Sequence, residues 1–88
     1  MSWGLKINGI LLPRVAKANI DMEIERCEDT LKTINNELVS YGTYNPTLEE
    51  VNEITTKINE ALIEYGNTAQ ELNLLYIAKE NPDDVEEY

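Results

Sequence analysis

The sequence predicts a mainly α protein: an antiparallel helical hairpin, its long second helix bent or broken near Gly66, with a short β-hairpin at the N-terminus. Three observations predict it. Ile20, Ile24, Cys27, Leu31, Ile34, Leu38 and Tyr41 step by 4,3,4,3,4,3, an uninterrupted heptad seam. Pro46 followed by Thr47-Leu48-Glu49-Glu50 reads as a chain break and then a capping box that opens a second helix. Asn8-Gly9, between two short apolar runs, is the signature of a tight hairpin turn.

With 88 residues, the chain holds one small domain. Trp3 to Ile7 alternates apolar with small or polar residues, a strand period, and Ile10 to Leu12 returns as the second strand. The hairpin is therefore expected over 3–12, with Pro13 ending the ladder because it has no N–H. Asn19 is the expected N-cap of helix 1, over 20–41. Asp21 and Glu23 favour the positive end of its dipole, and Gly42 stands where a left-handed residue should close it.

Helix 2 is expected over 47–80, with Val51, Ile54, Ile58, Ala61, Leu62 and Tyr65 on its apolar face. Ile34 to Gly42 and Ile58 to Gly66 share the frame I-N-x-x-L-[VI]-x-Y-G, offset by 24 residues. By that repeat, Gly66 ends a helix and Thr68 to Glu71 caps another. By local spacing, the seam continues through Ala69, Leu72, Leu75 or Tyr76, and Lys79. A mid-helix glycine costs only about 1 kcal/mol against alanine, so packing can carry the helix across it. A continuous helix would overhang helix 1, and Trp3, Leu5, Ile10 and Leu12 are expected to cover Leu72, Leu75 and Tyr76. Asn81-Pro82 stops the helix, and 81–88 reads as a mobile acidic tail.

Seven bases against 17 acids leave a net charge of −10. Residues 1–19 carry Lys6, Arg14 and Lys17 and no acid, so every carboxylate lies in 20–88. That balance argues against direct nucleic-acid or anionic-membrane binding and favours a basic protein partner. No apolar stretch approaches the ~20 residues that span a bilayer, and no signal-peptide pattern is present, so a cytoplasmic location is expected.

The absence of histidine removes the usual general base, every histidine-activated nucleophile and the commonest metal ligand. Cys27 sits on the heptad seam, as a small core residue would. No phosphate-binding loop, C-x-x-C or Ca²⁺-loop spacing occurs. We expect no enzymatic activity, no cofactor and no metal.

The acids fall in rows. Glu50, Glu64 and Glu71 share one with Lys57; Glu53 and Glu60 share another; Asp21, Glu25, Glu28 and Asp29 begin helix 1. Such surfaces imitate a nucleic-acid backbone and fit a basic groove. The plainer account is an ordinary solvated face. Asn35 and Asn59, matched in the repeat, are candidates to pair across the helices. Tyr41, Tyr44 and Tyr65 cluster near helix ends. Trp3, Leu5 and Leu11 are candidate contacts at the hairpin edge, since Leu11 at least must point away from the core.

In size, in acidic residues from Asp21 to Glu87, and in an Asn- and Ile-rich texture, the chain resembles the small acidic helical inhibitors that bacteriophages encode, anti-CRISPR proteins and DNA mimics among them. The resemblance implies a non-enzymatic inhibitor that blocks the nucleic-acid-binding surface of a host protein in the host cytoplasm. Two other functions fit the residues. One is a structural or assembly protein that oligomerises, as a homodimer or larger, through its helical seam and hairpin edge. The other is an oligomer that sequesters a small ligand between protomers, with Arg14, Lys17 and tyrosines as contacts.

Overall fold

The computed structural model describes residues 4–87. Strands β1 (Gly4–Ile7) and β2 (Ile10–Pro13) form an antiparallel hairpin, followed by a single 3-10 turn at Lys17–Asn19. Helix α1 (Ile20–Gly42) runs away from the sheet and helix α2 (Val51–Glu80) returns to it. A 3-10 turn at Pro82–Asp84 leads into a third strand, β3 (Glu86–Glu87). The sheet order is β2-β1-β3. The result is a rod of 53 × 23 × 19 Å with the sheet at one end and the helical turn at the other.

Asn8 and Gly9 both take positive φ, 52° and 80°, as a type I′ turn demands. That turn makes Ile7↔Ile10 the hydrogen-bonded closing pair. Alternation then makes Leu5↔Leu12 the next hydrogen-bonded pair, while Lys6↔Leu11 and Gly4↔Pro13 are not bonded to each other. Pro13 therefore stays in the strand instead of ending it: its missing N–H lies on the outer edge, where the intramolecular ladder needs no donor.

The core lies at the sheet end. Leu5, Ile7, Leu12 and Val15 pack with Ile20, Ile24 and Cys27 of α1, with Leu72, Leu74, Leu75 and Ala78 of α2, and with Val85. The overhang of α2 is as the spacing predicts, and Leu72 and Leu75 lie under the hairpin. Tyr76 does not. It is half exposed and turns to the flank beside Glu28, and Leu74 takes the buried place. A helix held between a second helix and a sheet buries a wider arc than a two-helix seam, which brings in position 74.

Toward the turn only a narrow seam is shielded. Ile34 and Ala61 are buried, whereas Leu48 is 93% and Leu62 52% exposed. Helix α2 passes through Gly66 without interruption. Packing against α1 before Gly66 and against both α1 and the sheet after it outweighs the cost of one glycine.

Five local expectations are corrected. Gly42 is the last residue of α1 and not left-handed; the helix closes through the Thr43 N–H to the Ser40 carbonyl and the Tyr44 N–H to the Tyr41 carbonyl. Helix α2 begins at Val51, four residues after the expected start at 47. The Glu50 carboxylate accepts from the Thr47 N–H, but the Thr47 hydroxyl donates to that carboxylate instead of capping the helix. Asn19 precedes α1 without a side-chain capping bond. The acidic tail is not free, because β3 pairs with β1 (Leu5↔Glu87, Lys6↔Glu86) and Val85 enters the core.

Candidate functional site: an acidic furrow between the helices

Antiparallel packing of α1 on α2 leaves a shallow furrow along one flank of the hairpin. Arg26, Asp29, Thr30, Thr33, Ile34, Glu37 and Glu64 line its first stretch. Glu37, Tyr41, Lys57, Glu60, Ala61 and Glu64 line the second. Glu37 and Glu64 belong to both, so the furrow is continuous. Its floor is the buried pair Ile34 and Ala61.

Ion pairs close its two ends. Arg26 bonds Glu71 at 3.0 Å and Glu23 at 2.9 Å, and Lys57 bonds Glu53 at 3.2 Å. Between them Asp29, Glu37, Glu60 and Glu64 have no ion pair among the described residues. The Tyr41 hydroxyl donates to Glu37 at 2.8 Å, and that bond holds the phenol above its ordinary pKa. Glu60 and Glu64 are one turn apart on α2, and Glu71 follows two turns on, so carboxylates recur every ~6 to ~10 Å along the rod.

The structure thus brings together Asp29, Glu60 and Glu64 of the expected acids, with Glu53 and Glu71 at the margins in ion pairs. Others lie elsewhere. Asp21 pairs with Lys79 at 2.8 Å beside the sheet end. Glu28 faces Tyr76. Glu50 is tied into the interhelical turn by hydrogen bonds from Tyr44 and Thr47, which lower its pKa in that order of effect. Glu25 is exposed. Glu37 was not among the expected acids; its signal is the row Arg26, Thr30, Thr33 and Glu37, stepping by 4,3,4 beside the seam.

Of the expected edge contacts, Leu11 is 49% exposed and faces outward. Leu5 is 0% exposed and belongs to the core, because it shares a face with its partner Leu12. Trp3 lies outside the described residues. Asn35 and Asn59 are exposed and do not hydrogen-bond each other. Arg14 and Lys17 follow the hairpin, whereas Tyr41 and Tyr44 lie at the opposite end of the rod.

Among the described residues no group of three or more potential ligands is placed to hold a metal ion. No described helix is long and apolar enough to cross a membrane. Compared with known proteins, the chain matches no family model, no curated protein and no solved structure.

Proposed function

We propose that the chain is a non-enzymatic, phage-encoded inhibitor that acts in the host cytoplasm. Its acidic furrow occupies the basic nucleic-acid-binding surface of a host defence or nucleic-acid enzyme. One observation carries this reading: Asp29, Glu37, Glu60 and Glu64 from two helices converge on one flank, with bases only at its ends. Unpaired carboxylates held on rigid helices present charge without a large ordering cost, and a basic groove desolvated against them would recover that charge as affinity and on-rate.

The test uses wild-type chain and the double variant Glu60→Lys, Glu64→Lys as baits in a bacterial lysate. Wild type should retain a basic protein that is released when salt rises from ~0.1 M to ~0.5 M, as screening of exposed charge requires. Duplex DNA should displace that protein, and the double variant should not retain it. Equal retention by both baits, or release unaffected by DNA, would reject the proposal.

A further inference from the structure

Among the described residues, the edge of β2 that faces away from β1 has no partner strand, because the sheet order is β2-β1-β3. We propose that this edge pairs with the same edge of a second copy, giving a two-fold dimer with one sheet ordered β3-β1-β2-β2-β1-β3. The proposal is independent of the acidic furrow.

The pairing pattern selects the register. Ile10 and Leu12 turn their backbone groups inward to Ile7 and Leu5. Leu11 alone in β2 turns both its N–H and its C=O outward, and Pro13 has no N–H to offer. A two-fold pairing must therefore centre on Leu11, with Leu11 opposite its own copy and the two exchanging both bonds. That register places Gly9 opposite the copy's Pro13, so the missing donor faces a turn residue and not a strand. It also places Ile10 opposite the copy's Leu12.

Side chains of facing residues point to the same side of a sheet, so both helical layers fall on one face. Ile10 sits on the core face yet is 43% exposed. Beside it an open groove is lined by Leu12, Pro13, Asn67, Gln70, Leu74 and Glu71, the last held by Arg26. The copy's Leu12 covers Ile10 and continues that apolar floor across the two-fold axis. On the other face Leu11 meets Leu11.

Charge favours this contact over helix-to-helix association. Each chain carries −10, and two copies meeting through their helices would bring carboxylates together. Residues 1–19 have no acid and three bases, so two copies meeting at the β2 edge bring together fewer like charges than helices that carry the acids would. The acidic strand β3 lies on the far edge of the sheet.

Sedimentation and light scattering on the full chain, from micromolar to millimolar concentration, should show a species of twice the 10.1 kDa monomer mass. Leu11→Pro removes the outward donor without touching the inner ladder, and Leu11→Lys sets two cations opposite each other. Each should weaken the dimer by about tenfold or more while circular dichroism stays that of wild type. In a Cys27→Ala background, Leu11→Cys should cross-link on oxidation, since hydrogen-bonded pairs stand about 5.5 Å apart at Cα. Ile10→Cys, facing Leu12 of the copy, should not. A monomer at every concentration overturns the proposal. So does a dimer indifferent to both Leu11 variants, or cross-linking through position 10 instead of 11.

Discussion

Arg26 of α1 reaches Glu71 of α2 at 3.0 Å while holding Glu23, one turn back on its own helix, at 2.9 Å. It joins the two helices at the sheet end of the furrow, and its guanidinium also lies 3.8 Å from the Cys27 sulfur. The side chain is 54% exposed, so solvent screens both pairs. Arg26→Ala should lower stability by less than about 1 kcal/mol, with a gap to wild type that narrows as salt is added. It also frees the Glu71 carboxylate at the furrow's sheet end. If the furrow is the binding face, the same variant should bind its basic partner at least as tightly as wild type. Thermal melts at low and high salt, and titration against that partner, check the two halves separately.

The glycines respond in opposite directions. At Gly66 a Cβ meets nothing within 4 Å, and the residue lies mid-helix, so Gly66→Ala should stabilise by up to about 1 kcal/mol. For a domain of this size that is a rise of roughly 4–8 °C in Tm. At Gly4 a Cβ would lie 2.3 Å from the Leu12 carbonyl oxygen and 2.9 Å from the Pro13 Cα. Both are backbone atoms, so Gly4→Ala should force the hairpin apart and lower Tm. Two melts decide the pair of signs.

Cys27 is 0% exposed on the α1 seam. Burial pushes its thiol pKa up, and nearby Glu71 adds to the shift. The folded thiol should resist alkylation at mildly alkaline pH until the chain unfolds. The raised pKa also sets a pH dependence. The unfolded thiol ionises first, near its ordinary value of about 8.5, so above that pH the unfolded state holds fewer protons than the folded one. Stability from this group is complete below that value and falls as pH rises toward the folded pKa. The difference in unfolding free energy between wild type and Cys27→Ala should therefore shrink on going to alkaline pH. An unchanged difference would remove the burial argument.

What was legible in the sequence was local. Asn8-Gly9 specifies its turn within four residues, and the seam from Ile20 to Tyr41 specifies α1 by period alone. Gly66 was not decidable that way, because a penalty of about 1 kcal/mol is settled by contacts with residues far along the chain. The furrow was half legible for the same reason. Rows of acids can be read within each helix, but which rows face each other depends on how α1 and α2 are rotated in the packed pair. That rotation joins Glu37 to Glu60 and Glu64 and sends Asp21 and Glu28 elsewhere. Strand β3 was hidden most completely. Two glutamates carry no strand pattern, and their pairing with Leu5 and Lys6 spans nearly the whole chain.

That hidden strand makes the C-terminal segment a structural part of the fold. Val85 is 9% exposed and packs in the same cluster as Leu5 and Leu75. Removing residues 82–88 would open that cluster and expose the outer edge of β1, whose partner β3 is. It would also remove acids from a chain that carries −10, which by itself relieves repulsion. The two effects have opposite signs, and single substitutions separate them. Val85→Ala removes only packing and should cost about 1–2 kcal/mol, within the range for shortening a buried aliphatic side chain at a partly relaxing site. Replacing Asp83 and Asp84, both exposed, with Asn removes only charge and should be neutral or slightly stabilising. If burial governs, the truncated chain should melt below both variants, and its Cys27 should become reactive toward thiol reagents before global unfolding. A truncated chain as stable as wild type, with Cys27 still protected, would show that the last strand merely rests on the sheet.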